Sequence, residues 1–267
     1  MSFVQRFFLF LGVIVAFVPT GYAVTLDWDG VTWTPGALTN SYDIDPSKAG
    51  NDITVTVSGN TATLQPELVS PYPQTPAITT DFLGGLVTAQ NTLCLAVNFT
   101  NQAQSVTVTG DFSALYTAGV QNVSFTLFDI DFANSGSSDY QDKLSSITAL
   151  SIDGTTLVAP TITTSAANTR TGSALTQVVT GIASANDLGS GTSNGNVTIS
   201  FGTTAIKSFT FTYGSGSAPG PDPTYQHVGI HDITFTPIPE INPAWSALGS
   251  CLVAAALILR HSAKFRK

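Results

Sequence analysis

Carboxylates carry the densest chemistry in this chain. Asp129-Ile130-Asp131 closes a run in which Val123, Phe125 and Leu127 alternate with Ser124 and Thr126. If that strand continued, both acids would point into the interior, where an unpaired ionised group is very costly. A bulge must re-aim them, the strand must stop, or a cation must neutralise them. Downstream, Asp131, Gly136, Asp139 and Asp142 stand at positions 1, 6, 9 and 12 of a calcium-loop register. Ala133 and Ser135 occupy the ligand positions 3 and 5, and no helical pattern flanks the loop, so an EF-hand is not supported. What survives is a carboxylate-rich loop, Asp129, Asp131, Asp139 and Asp142, that either holds Ca2+ or stays solvated. Asp232 poses the same question. Val228 and Ile230 share one parity, Ile233 and Phe235 the other, and the slip falls on His231-Asp232.

Enzyme signatures fail on context. Gly191-Thr192-Ser193-Asn194-Gly195 fits G-x-S-x-G, but a low-complexity stretch precedes it and a strand pattern follows, the reverse of a nucleophile elbow. His227 and His231 on one strand would lie ~13 Å apart, too far to share a metal. Glu67 is the only glutamate between residues 24 and 236, and spacing nominates no pair of catalytic acids. No phosphate-cradling loop or dinucleotide fingerprint is present, so the expectation is a protein that is not an enzyme. Trp28, Trp33, Tyr42, Tyr72, Tyr116, Tyr140 and Tyr225 could present planar faces to a sugar, with Trp33 and Tyr140 the leading candidates, although buried aromatics usually serve the core. Cys94, between Leu93 and Leu95, reads as a small buried apolar side chain.

The elements that must position these residues are strands. Ile53, Val55 and Val57 alternate with threonine, as do Val106 and Val108, and Phe209, Phe211 and Tyr213; Val197, Ile199 and Phe201 show the same period. A period of two with β-branched residues on the polar side marks half-buried antiparallel strands. Further strands are expected at 24–28, 41–45, 61–64, 92–99, 145–152, 155–158 and 228–235. The fold class expected is all-β, an antiparallel β-sandwich or jelly roll. Three long loops interrupt it: the proline-rich 65–90, the Ser/Thr/Ala/Gly-rich 159–195 with one strand near 177–182, and 214–226. By analogy with jelly-roll carbohydrate-binding modules, a last strand beside the first would bring Asp27 or Asp29 to Asp232 as a calcium pair.

Charge narrows the partners. The 267 residues are 43% hydrophobic and only 10% charged, with a net charge of -8. Between residues 24 and 237 the cations are Lys48, Lys143, Arg170 and Lys207, against 16 carboxylates (all 17 except Glu240). Nucleic acid is excluded as a partner, because neutralising phosphates needs clustered cations. Two cysteines, Cys94 and Cys251, are too few for a disulfide framework.

The two ends read as addresses. In residues 1–23, Arg6 precedes twelve apolar residues, Phe7 to Val18, and Gly21-Tyr22-Ala23 offers small residues to signal peptidase after Ala23. Twelve residues make ~18 Å of helix, short of a bilayer core of roughly 30 Å, so cleavage is favoured over anchoring. Residues 237–267 hold Pro239, Glu240 and Pro243, a transmembrane helix at 244–259 and a basic tail at 260–267. The tail places everything upstream outside the cytoplasm. This layout resembles the PEP-CTERM sorting signals of Gram-negative bacteria. The resemblance implies removal by an exosortase-type enzyme, although Ile241 and Asn242 separate Glu240 from the second proline. A lasting single-pass membrane anchor is the alternative.

The domain between them, 24–236, is similar to bacterial extracellular β-domains of adhesin-like surface proteins. Val31-Thr32-Trp33-Thr34-Pro35-Gly36, the stretch 123–131, Tyr140-Gln141-Asp142-Lys143, the strand 195–201, and 209–214 with 230–235 carry that likeness. It implies a structural or binding module secreted to the cell envelope, surface or extracellular matrix, active in adhesion or surface structure. The alternative is a calcium-stabilised carbohydrate-binding module whose partner is an extracellular polysaccharide.

Overall fold

Residues that alternate in sequence alternate in burial. Ile53, Val55 and Val57 are buried while Thr54 and Thr56 are half exposed, and the pattern repeats at 105–111 and 206–213. The computed structural model describes residues 21–240, apart from 68–70, 87, 89, 136, 137, 186–191, 219 and 221. The expected signal sequence up to residue 20, Pro243, the helix 244–259 and the tail 260–267 lie outside the described residues. Among the described residues, no helix is long and apolar enough to cross a membrane.

The strands are β1 (Val24–Leu26), β2 (Thr39–Tyr42), β3 (Ile53–Gly59), β4 (Ala77–Thr79), β5 (Thr92–Val97), β6 (Ser105–Asp111), β7 (Val120–Phe128), β8 (Phe132–Ser135), β9 (Ser138–Ser151), β10 (Leu157–Val158), β11 (Thr161–Thr164), β12 (Asn168–Thr171), β13 (Val178–Gly181), β14 (Val197–Ser200), β15 (Ile206–Ser215), β16 (Gln226–Ile230) and β17 (Ile233–Pro237). Every ladder is antiparallel. One row runs β4-β5-β16-β7-β14-β11, with β17 beside the first half of β7 and β1 beside β17. The other runs β2-β3-β6-β15-β9-β13-β12, with β10 on β9. The pair Ile206–Val120 joins the rows into one curled sheet.

Aromatic side chains fill the space between the rows, which makes the fold a β-sandwich. Phe125 of β7 lies 4.7 Å, centroid to centroid, from Phe209 of β15, and Phe235 of β17 lies 4.8 Å from Phe112, just past β6. Outside, Thr39, Thr56, Thr109, Thr210 and Thr148 form one cross-strand row over five strands. A second, smaller core of Phe82, Cys94 and Phe128 covers the outer face of β5, every residue of which is buried. The proline-rich loop reaches that core through Gly84, at φ +50, where any Cβ would collide with the Phe128 ring.

Three sequence expectations differ from this architecture. The stretch 131–142, read as a loop, is largely the β8–β9 hairpin, paired from Phe132–Gln141 to Ser135–Ser138. Its residues lack apolar alternation; the hairpin pairs with itself, and β15 continues the ladder only from Asp142 and Lys143, opposite Ser215 and Gly214. Residues 61–63 form a 3-10 turn instead of a strand, because the Thr63 N–H and hydroxyl both donate to the Asn60 carbonyl, at 3.0 and 2.7 Å. The low-complexity segment after residue 159 holds β11 and β12 besides the expected strand, now β13.

Phe209→Ala should lower the unfolding free energy by about 3–5 kcal/mol, since it empties the centre of the aromatic layer. Thr56→Ala on the outer row should change it by less than about 1 kcal/mol. Urea denaturation of both variants checks the contrast, and equal losses would contradict this placement of the core.

Candidate functional site

The strand β7 ends where its chemistry requires. Asp129 takes φ +65, a left-handed turn that breaks the strand parity. Ile130 then fills the interior, and its N–H donates to the Gly195 carbonyl at 3.0 Å. Of the three resolutions open to the sequence, the strand stops; Asp129 is half exposed, while Asp131 is still fully buried. Asp131 Oδ2 accepts the Ala185 N–H at 2.7 Å. Its backbone N–H donates to Asp142 Oδ2 at 3.1 Å, and its carbonyl accepts the Asp142 N–H at 2.9 Å. Gly181 of β13 lies flat against that carbonyl, where no Cβ would fit.

Asp142 is 1% exposed. Its Oδ1 accepts the Gln226 Nε2–H at 2.7 Å and lies 2.6 Å from the Tyr213 hydroxyl, which is also 2.7 Å from the His227 carbonyl oxygen. Burial pushes the Asp142 carboxyl well above the ordinary carboxylate range, and the charge of Asp131 adds to the effect. Tyr140 reaches the same group: burial, then the nearby Asp131, Asp142 and Asp129, hold its phenol above the usual range, and it hydrogen-bonds Asp131.

The remaining candidates lie elsewhere. Asp139 pins the loop 214–226: its Oδ2 accepts the Gly220 N–H at 2.8 Å, its N–H donates to Thr224 Oγ1 at 2.9 Å, and its carbonyl accepts the Thr224 N–H at 2.9 Å. Asp232 sits in the break between β16 and β17. Because β1 pairs with β17, Asp27 and Asp29 are its electrostatic neighbours. Its Oδ1 accepts the Trp28 N–H at 3.1 Å, and burial raises its pKa. Trp33 is 5% exposed, edge-on to Trp28 at 6.5 Å, with its indole N–H on the Ala37 carbonyl, so it belongs to the core and presents no ring to a sugar. Ala23 is exposed directly before β1, and Pro239 and Glu240 follow β17. Among the described residues, no group of three or more His, Cys, Asp or Glu is placed to hold a metal.

Sequence reasoning missed two assemblies. Asp52, fully buried, accepts the N–H of Ile44 and Asp45 at 2.5 and 2.7 Å and the Tyr116 hydroxyl at 2.5 Å, tying the β2–β3 connection to the segment before β7. In the second core the Cys94 thiol donates to Glu67 Oε2 at 2.7 Å, and Glu67 Oε1 lies 3.4 Å from His227 Nε2. This set does not make a nucleophile. The thiol is fully buried, burial pushes its pKa well up, and a carboxylate stands between it and the imidazole. The lone mid-chain glutamate was the one available signal.

The three long loops meet at one end of the sandwich. The Tyr225 hydroxyl donates to the Pro66 carbonyl, Gln102 Nε2 donates to the Gly220 carbonyl at 3.0 Å, and Asn196 Nδ2 donates to the Gly84 carbonyl at 2.9 Å. Tyr72, 61% exposed at φ +57, and the half-exposed Tyr225 ring, 4.8 Å from the His227 ring, present aromatic surface there.

No protein-family model matches this chain, and no characterised protein sequence matches it. Solved structures show distant likeness. A carbohydrate-binding module, CBM28, described as specific for non-crystalline cellulose is 10% identical, covers 67% of this chain and 89% of its own, with a TM-score of 0.33. A family 11 carbohydrate-binding module from Clostridium thermocellum, solved with a mixed-linked tetrasaccharide, is 13% identical over 83% and 99%, with a TM-score of 0.32. The module CBM27-1 of Caldicellulosiruptor saccharolyticus, solved with mannohexaose, is 12% identical over 81% and 97%, with a TM-score of 0.35.

Burial holds the His227 imidazole down at about 4, even beside Glu67. An unfolded histidine titrates near ~6.5, so the fold favours the neutral ring. That stabilisation is complete above about pH 6.5 and is lost as pH falls toward 4, up to about 3 kcal/mol. Wild-type protein should therefore lose more thermal stability between pH 7 and pH 4.5 than His227→Gln. Parallel melting curves for the two would refute the assignment.

Proposed function

We propose that this chain is an exported, non-catalytic domain that binds neutral polysaccharide at the cell envelope or in the extracellular matrix. The observation that carries the reading is the loop end, where Tyr72 is 61% exposed, the half-exposed Tyr225 is tied to the Pro66 carbonyl, and Asp139 holds the loop 214–226 through the Gly220 N–H. Flat aromatic faces flanked by backbone polar groups suit the apolar face and the hydroxyls of a sugar ring. With four cations against 16 carboxylates (17 less Glu240) over 24–237, a neutral glycan is favoured over an anionic one. The curl of the sheet is read as a jelly-roll variant of the sandwich, and adhesion follows from holding a surface polymer. Signal peptidase acts after Ala23, and the segment 237–267 serves as the exosortase-type sorting signal.

Affinity electrophoresis through gels of soluble β-glucan, mannan or xylan should retard the protein in at least one gel. Tyr72→Ala and Tyr225→Ala should each weaken that retardation about tenfold, the worth of one aromatic stacking contact. No retardation by any neutral polysaccharide would sink the reading. The sorting proposal is separate: mass spectrometry of the mature protein should find Val24 as the first residue and the basic tail gone, whereas an intact Lys267 terminus would mean a lasting anchor.

A further inference from the structure

We propose that the buried polar group behind the loop end is a divalent-cation site, filled by Ca2+ and held by Asp131, Asp142 and the side-chain carbonyl of Gln226. The inference stands apart from the glycan reading. Asp131 and Asp142 are 0% and 1% exposed; the Asp131 N–H donates to Asp142 Oδ2 at 3.1 Å, and the charge of Asp131 acts on the Asp142 carboxyl. Gln226 of β16 is 1% exposed, and its Oε1 is buried without a hydrogen-bond partner while its Nε2 donates to Asp142 Oδ1 at 2.7 Å. A buried amide oxygen without a donor is costly, which favours the opposite orientation of this amide.

The assignment of O and N in an amide follows from its surroundings. Half a turn of the Gln226 amide puts Oε1 where Nε2 now stands, against Asp142 Oδ1. Two oxygens without a proton between them repel unless a cation joins them. Tyr213 allows the change, because its single hydroxyl proton has two acceptors in reach, Asp142 Oδ1 at 2.6 Å and the His227 carbonyl at 2.7 Å. When a cation takes the Asp142 oxygen, that proton goes to the carbonyl. The donors are two carboxylates and an amide oxygen, with the Tyr140 hydroxyl on Asp131 completing an oxygen-only set that suits Ca2+ and lacks the nitrogen and sulfur that favour zinc. Asp129 lies within electrostatic reach and adds negative charge. The ion would join the β7–β8 turn, β9 and β16, and through Ala185 the segment after β13.

Tyrosine-sensitised terbium luminescence tests the site directly, because Tyr213 touches it. Full-length protein in mild detergent, stripped with chelator, should give saturable Tb3+ emission on excitation of tyrosine, and Ca2+ should displace it. Asp142→Asn and Gln226→Ala should each weaken Tb3+ binding at least tenfold, while Asp232→Asn, in the separate group with Asp27 and Asp29, should leave it unchanged. Emission that survives Asp142→Asn or Gln226→Ala overturns the proposal. So does absent emission in a protein whose melting temperature rises on acidification and ignores chelator, the signature of a held proton. If Asp142→Asn fails to fold, Gln226→Ala decides alone, since it removes no charge.

Discussion

Both halves of the sandwich lean on β7, which pairs with β14 on one side and with β16 and β17 on the other, and two aspartates follow it two and four residues past Leu127. Continuing the strand would carry two charges into a layer of phenylalanine, at a cost of several kcal/mol or more for each unpaired ion. The left-handed turn at Asp129 is the escape, and it delivers Ile130 to the core in place of a carboxylate. It also fixes Asp131 against β9 and β13, so the polar cluster and the hairpin that carries it descend from one change of strand parity.

A chain this poor in cations satisfies its acids with amide and hydroxyl donors. Asp52 takes two backbone N–H groups and a tyrosine hydroxyl, Asp131 takes the Ala185 N–H, and Asp232 takes that of Trp28. Each such bond fastens a loop to a strand in one geometry, which a flexible Lys side chain would not do as sharply. These bonds fasten the described loop residues, and the free Cys94 thiol donates a hydrogen bond to Glu67 Oε2.

The strands with apolar alternation were legible, because Val55, Phe125 and Phe211 declare by residue type which face is inside. So was the slip at His231-Asp232, which separates β16 from β17. β8 and the start of β9 were not, since Ser138 through Lys143 carry no apolar alternation; Ser138 to Gln141 pair with β8, and Asp142 and Lys143 with β15, some 70 residues away. The site was half legible. Asp131 and Asp142 were visible as acids in a common stretch, but a loop register paired them with Asp139, which the structure turns toward the loop 214–226. Gln226 and Tyr213 could not be seen, because their part depends on a tertiary pairing across the sheet.

The outer faces bear on why the proposed glycan contact is assigned to the loop end. Across them the threonine hydroxyls are spent on one another, Thr39 with Thr56, Thr107 with Thr212 and Thr126 with Thr198, each at 3.0 Å. Such rows steady the sheet by holding cross-strand neighbours in register, yet they offer a partner neither an aromatic anchor nor a cation. A large neutral polymer gains little on a face whose donors are already paired. At the loop end the rings of Tyr72 and Tyr225 are partly exposed and the backbone is held by the Tyr225–Pro66 and Gly220–Asp139 hydrogen bonds, so the proposed ligand would give up less entropy in binding there.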